Sequence, residues 1–200
     1  VGVCIGTSGP GATNLITSLA DAKLDSVPLL AITGQVATSA MGSDAFQEVD
    51  VLGLSLGICK HSELVTDIND LPELLESCWN LTTEGRPGPV LIDIPKDILL
   101  AEVSDQPHKG QQHKEQDAVE MSLIEGHQEE VQAINEVLSQ AKKPLLYVGG
   151  GIAMAGAINE LTDFINQSNM PSVSTLKGLG CVPSAPVSYT HLRAHETYPH

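Results

Sequence analysis

VGVCIGTSGPGATNLITSLADAKLDSVPLLAITG, residues 1–34, carries the pattern that decides the fold. Val1 to Ile5 is a short β-type run that ends in glycines. Gly11 to Lys23 then places Leu15, Ile16, Leu19 and Ala20 at helical spacing. Pro28 to Thr33 is a second strand candidate, closed by Gly34. Its unbroken apolar run suits a strand covered on both faces, as in parallel sheets. Working outward, Leu64 to Ile68 is the next strand candidate. Pro72 to Glu84 reads as a helix with Pro72 in its first turn and Gly85 as its stop. Val90 to Ile94 closes the series. Strands separated by helices need crossover connections, so the expectation is an α/β fold with a doubly wound parallel sheet over residues 1–100.

The stretch 101–127 is rich in acids and glutamine and poor in aliphatics, which predicts an exposed acidic linker. The alternation then resumes. Helix Glu129 to Ala141, strand Pro144 to Val148, the turn Gly149-Gly150-Gly151, helix Ala155 to Gln167 and strand Ser172 to Leu176 read as the start of a second α/β domain, 128–186. Residues 187–200 hold three of the seven histidines and show no period. We expect disorder and no function there. His191 and His195 are four apart, but Pro199 and the lack of an apolar face argue against a helix. His195-Glu196 does not continue as a zinc-protease motif. The opening on Val1 inside a strand pattern and the change of character near residue 187 both read as cut ends.

Composition excludes several classes of function. The formal net charge is −15, which repels phosphate backbones and argues against a nucleic-acid partner. No apolar run approaches the roughly 18 residues of a membrane helix, so no membrane partner is expected. Cys4, Cys59, Cys78 and Cys181 form no C-x-x-C pair, so a zinc site has no support and no metal ligands are assigned. Widely spaced thiols fit a reducing, cytoplasmic setting.

Ligands of open parallel sheets bind beyond the carboxyl ends of the strands, and three turns here are placed for that. Gly6-x-x-Gly9-x-Gly11 precedes a helix whose first N–H groups are free, but its spacing is not the dinucleotide fingerprint. A tight turn capped by Ser8 or Thr7 explains it as well. Lys96 follows a buried strand, where a cation meets an anionic substrate or simply pairs with Asp97 in solvent. Gly149-Gly150-Gly151 offers open backbone to a phosphate or ribityl chain. Asp44-Ala-Phe-Gln-Glu48 combines an aromatic ring, an amide and two acids against a polar substrate. A helix start capped by Asp44, with Glu48 exposed, accounts for it equally. Lys60-His61 suits a proton shuttle or a structural histidine.

Taken in order, several segments resemble the large subunit of acetolactate synthase (acetohydroxyacid synthase), nearest the bacterial isozyme II type. They are Thr7-Ser-Gly-Pro-Gly-Ala-Thr-Asn14, Asp25-Ser-Val-Pro28, Ile32-Thr-Gly-Gln35, Ser43-Asp-Ala-Phe-Gln-Glu48, Lys60-His61, Gly85-Arg-Pro-Gly-Pro89, Asp93-Ile-Pro-Lys-Asp97, Tyr147-Val-Gly-Gly-Gly151 and Thr175-Leu-Lys-Gly-Leu-Gly180. The match covers about residues 1–186. The resemblance implies the pyrimidine-binding domain of a thiamine-diphosphate enzyme, followed by the start of a central FAD-binding domain.

It also implies thiamine diphosphate, Mg²⁺ and FAD as cofactors. Pyruvate and 2-oxobutyrate are the implied substrates, and a homodimer with a small regulatory subunit the implied assembly. The activity implied is decarboxylation of pyruvate and transfer of the two-carbon unit to a second 2-oxo acid, in the synthesis of branched-chain amino acids.

Carried over position by position, Pro10, Gly11 and Asn14 match the loop beside the aminopyrimidine. Phe46 and Gln47 match residues of the thiamine and substrate pocket, and Lys96 matches the lysine of the substrate channel. Arg86, Gly149, Gly150, Gly151, Thr175 and Leu176 match FAD contacts. The carbanion chemistry is the cofactor's own. The glutamate that activates it lies, in the family, ahead of the Ser8-Gly9-Pro10-Gly11 loop and so before Val1, and the Mg²⁺ motif belongs to a third domain. No catalytic residue is therefore assigned, and the chain alone is expected to be inactive. Pyruvate oxidase, a 2-oxo-acid decarboxylase, or a non-catalytic α/β module for dimerisation or nucleotide binding are the alternatives.

Overall fold

The computed structural model describes residues 1–103 and 127–182, together with the backbone of 189–191. The chain divides into two compact units, Val1–Gln112 and His113–His200, so the division falls inside the acidic segment. Most of that segment lies outside the described residues.

In the first unit β1 (Gly2–Gly6), β2 (Leu29–Gln35), β3 (His61–Leu64) and β4 (Pro89–Pro95) form one parallel sheet in the order β1-β2-β4-β3. The crossovers are α1 (Pro10–Asp25), the short α2 (Val51–Ser55) and α3 (Leu71–Thr83), and α4 (Lys96–Leu99) follows β4. All seven residues of β4 are buried, as a central parallel strand requires. The sheet faces alternate as strand geometry dictates. Ala31 and Leu91 join Ala12, Leu19, Val51 and Cys59 under α1 and α2. Leu30, Val90, Ile92 and Ile94 join Val65 and Cys78 under α3. Burying each Leu, Ile or Val side chain contributes about 1.5–3 kcal/mol.

The start of α1 departs from the sequence reading. Gly9 is its N-cap with φ 60°, Pro10 stands in the first turn, and no side chain caps it. The expected caps, Thr7 and Ser8, play no such part. Proline has no N–H to satisfy, and its fixed φ starts the helix without help. The helix ends on Ser26 in the left-handed region, φ 58°. The third strand also moves: it is His61–Leu64, and the expected Leu64 to Ile68 is largely irregular, with a 3-10 turn at Ile68–Asp70. The β3 sequence, His-Ser-Glu-Leu, is short, mostly polar and not fully buried, so no apolar run marks it. α2 and a 3-10 turn at Thr38–Ala40 fall between the second and third strand candidates, where the sequence reading named neither.

The second unit contains α5 (Gln128–Gln140), β5 (Leu146–Val148), α6 (Gly151–Met154), α7 (Ile158–Ser168), β6 (Ser172–Ser174) and β7 (Tyr189–His191). The strands are parallel in the order β5-β6-β7. The helix expected over Ala155 to Gln167 is α7, which starts three residues later, after Gly156 at φ 68°, and the short α6 ahead of it falls where only the glycine turn and its exit were read. The strand at Tyr189–His191 lies in the tail for which the sequence reading expects disorder. Ladder pairing with Ser172–Ser174, rather than any side-chain period, defines it. The rest of 183–200 lies outside the described residues. The core is small: Val148, Leu161, Ile165, Cys181 and Val182.

Candidate functional site

The carboxyl ends of β1, β2 and β4 bring together the first group of residues singled out in the sequence. The Gly6–Pro10 turn leaves β1, and α1 begins at its end, carrying Gly11 and Asn14. Gly9 is buried against the backbone of Gln47. A Cβ on Gly9 would stand 2.8 Å from the Gln47 carbonyl oxygen and 2.9 Å from its Cα. Only glycine permits that approach at φ 60°. The loop at Gln47 and the turn at Pro10 are therefore one surface. Phe46 is next to Gln47 and 89% exposed, an apolar ring with almost no cover. Lys96 is exposed at the start of α4, on the same edge, because Gln35 and Pro95 are register partners at the ends of β2 and β4.

Three carboxylates organise this edge, and the sequence reading gave none of them that role. Asp93 is fully buried in β4. It accepts from Thr33 Oγ1 at 2.7 Å and from Gln35 Nε2 at 3.0 Å. The same Gln35 amide nitrogen donates to the Val49 carbonyl at 2.8 Å, and Gln35 Oε1 accepts from Val36 N at 2.9 Å. The buried acid thus fixes both stems of the 36–49 loop. Desolvation pushes the Asp93 carboxyl above the usual range, opposed by its two hydrogen bonds. Asp97 accepts from Thr38 N at 3.0 Å and from the Thr38 hydroxyl. Those bonds hold its pKa down, the hydroxyl bond most. Asp97 therefore ties α4 to the loop, and the pairing of Lys96 with Asp97 read from sequence is replaced by this clamp. Glu48 accepts from the Gly42 and Ala45 amides, the latter at 2.9 Å, and these bonds lower its pKa. Asp44 caps no helix here: it turns at φ 56°. The sequence signal for Asp93 was a lone acid inside an apolar strand. Glu48 was read only as an acid of the Asp44–Glu48 cluster, and its hold on the turn gave no signal because its partners are backbone groups.

Arg86 does not join this group. It precedes β4, at the amino edge of the sheet, about seven residues of strand from Lys96 and so roughly 23 Å along it. Its Nε donates to Ser26 Oγ at 2.7 Å, and an Nη donates to the Leu24 carbonyl at 3.0 Å. It closes the carboxyl end of α1. Lys60 does the same for α3, donating to the Leu81 carbonyl and, at 2.6 Å, to that of Glu84. Desolvation lowers its pKa, opposed by Glu84. Cations at helix carboxyl ends complement the macrodipole. His61 is exposed and meets Glu63 at 2.8 Å.

The second group assembles in the second unit. Thr175 N donates to the Val148 carbonyl at 2.9 Å, joining the ends of β5 and β6. Thr175 Oγ1 caps the 3-10 turn Leu176–Gly178 by accepting from Gly178 N at 3.1 Å. Gly150 and Gly178 let the two turns interlock: a Cβ on Gly150 would stand 2.9 Å from Lys177 Cβ, and one on Gly178 3.0 Å from the Val148 carbonyl carbon. Gly149 and Gly151 face open space, and Leu176 is 71% exposed. Gly149–Gly151, Thr175 and Leu176 therefore share one ridge with an apolar tip.

The donor chemistry fits part of each implied cofactor site. An exposed aromatic ring, an amide and a glycine turn make one wall for a flat heteroaromatic ring. The second ridge offers open backbone and a leucine side chain to a phosphate-bearing flavin. No group of three or more His, Cys, Asp or Glu is placed to hold a metal among the described residues. None of their helices is long and apolar enough to cross a membrane.

Comparison with known proteins gives two family matches. Residues 1–54 match the thiamine pyrophosphate enzyme N-terminal TPP binding domain, and residues 131–199 match the thiamine pyrophosphate enzyme central domain. The acetolactate synthase isozyme 2 large subunit of Escherichia coli is 53% identical over 181 residues, covering 90% of this chain and 32% of that protein. The acetolactate synthase large subunit of Corynebacterium glutamicum is 44% identical, covering 92% of the chain and 29% of that protein. Acetolactate synthase 1, chloroplastic, of Zea mays is 43% identical, with 98% and 30% covered. The chain spans about a third of the length of these curated relatives.

Proposed function

The chain belongs to the thiamine pyrophosphate enzymes and is homologous along most of its length to acetolactate synthase large subunits, and from that premise we propose what the intact protein does. It decarboxylates pyruvate and joins the two-carbon unit to a second 2-oxo acid, pyruvate or 2-oxobutyrate, as a step towards branched-chain amino acids. The observation that carries this reading is the contact of Gly9 with Gln47, which makes the glycine turn and the Phe46–Gln47 loop a single wall.

In this reading thiamine diphosphate, when bound, supplies the carbanion chemistry. The protein's own residues do the rest. Pro10, Gly11 and Asn14 border the aminopyrimidine. The Phe46 ring excludes water from one side, and the Gln47 amide orients a bound oxygen. Lys96 draws the carboxylate of the 2-oxo acid to the edge. The ridge of Gly149, Gly150, Gly151, Thr175 and Leu176 contacts FAD, Arg86 is taken as a FAD contact from the resemblance alone because its guanidinium here bonds Ser26 and the Leu24 carbonyl, and Mg²⁺ is held by residues beyond this chain. A homodimer completes the site, a small regulatory subunit accompanies it, and the setting is cytoplasmic.

The test is carboligation by the full-length protein, following acetolactate formed from pyruvate with and without thiamine diphosphate. Thiamine-dependent product is expected, and its absence overturns the reading. The 200-residue chain alone is expected to bind thiamine diphosphate and FAD weakly or not at all, because each site lacks part of its walls. Calorimetry showing tight one-to-one binding would contradict that.

A further inference from the structure

The loop that carries Phe46 and Gln47 has little to hold it by packing. Phe46 is almost wholly exposed, and Asp44 and Gln47 both take the left-handed conformation, at φ 56° and 63°. Non-glycine residues resist that region, so something must stabilise the turn. Its backbone bonds at residues 42–48 are Ser43 N to the Ala40 carbonyl at 3.3 Å and Glu48 N to the Ala45 carbonyl at 2.9 Å. Asp97 holds the loop near its start, at Thr38, and Glu48 is the ionised group turned into the 42–48 turn, its two oxygens accepting from Gly42 N and Ala45 N. Charge-assisted bonds of this kind are about twice as strong as neutral ones. Across the loop, Gly9 presses on the Gln47 backbone and leaves it no room to relax towards α1.

We propose that Glu48 is a positioning residue: by accepting the Gly42 and Ala45 amide hydrogens, its carboxylate fixes the turn that presents Phe46 and Gln47 at the carboxyl edge of the sheet. Glu48 does not touch substrate. It acts through the backbone, and its lowered pKa agrees with a carboxylate stabilised by those amides. The requirement is for two acceptor oxygens. Glutamine keeps the length and shape of the side chain but has one acceptor, and its amide nitrogen would face a backbone N–H.

The experiment compares the wild-type chain with Glu48→Gln by amide NMR and hydrogen exchange. The Gly42 and Ala45 amide protons are expected downfield in the wild type and shifted upfield in the variant. Exchange across residues 42–47 should accelerate roughly tenfold, the equivalent of losing one strong hydrogen bond. Amides of β2 and β4 should not change, which separates loss of the clasp from loss of the fold. Unchanged Gly42 and Ala45 shifts, or acceleration spread equally over β2 and β4, would overturn the proposal.

The effect on substrate rests on the function proposed above. In the full-length protein Glu48→Gln should raise KM for pyruvate about tenfold while changing kcat far less, as expected for lost ground-state positioning. An unchanged KM beside accelerated loop exchange would overturn the link to Phe46 and Gln47. A wild-type protein without carboligation would sink only the functional reading, since the amide shifts decide the role of Glu48 by themselves.

Discussion

Asp93 is a carboxyl without a cation, buried in the middle strand and held by one hydroxyl and one amide. Its folded-state pKa is raised, with burial the largest cause. The folded protein therefore holds the Asp93 proton more tightly than the unfolded chain does. The group's contribution to stability is full below its ordinary value of 3.8 and is lost as pH rises through the raised value. We expect Asp93→Asn to remove that decline. Urea unfolding of both proteins from pH 4 to 7 should show stability curves that converge at the acid end, and parallel curves would refute the assignment. Much at this scale was legible in the sequence. Gly9, Gln47 and Lys96 stand on the edge where the motif order put them. Glu48 and Gln35 were not legible in their roles, because each acts on main-chain atoms whose positions no residue pattern encodes.

At the scale of elements, the junctions between strand ends and turns carry the specificity. Gly178 lies under the end of β5, where its missing side chain admits the Val148 carbonyl. Gly178→Ala should destabilise the second unit by about 1–3 kcal/mol, the usual result of overpacking. A denaturant midpoint followed through Tyr147 would show it, and an unchanged midpoint would mean that the two turns part freely. Helices with a strong apolar period, α1, α3 and α5, were readable to within about two residues. β3 was not, because it is short, polar and identified only by its register with Val90–Asp93. α6 was not read either, because four residues opening on Gly151 are too few to show a period.

At the scale of the whole chain, the two units differ in how much they bury. The first has two apolar layers, one on each side of a sheet whose central strand is fully covered. Among the described residues the second has one cluster of five buried apolar residues, and Val131, Ile134 and Val137 of α5 are exposed. Hydrogen exchange should therefore be faster across residues 145–176 than in β2 and β4, because local stability follows buried apolar contact. Equal protection would refute this. Alternation of strands and helices announced both units, whereas the pairing that gives Tyr189–His191 a place in the second sheet left no mark on composition.

The strand order β1-β2-β4-β3 has a consequence for the nascent polypeptide. One of the two inner members of the first sheet, β4, is the last of its four strands to leave the ribosome. Until Pro95 has emerged, β2 lacks one neighbour and β3 lacks the one it has among the described residues. At roughly 5–20 residues per second, the 25 or so residues between β3 and β4 take a few seconds to translate. During that interval Leu30, Ile32 and Val65 have no Val90 or Ile92 to cover them, which is when a chaperone would find its grip.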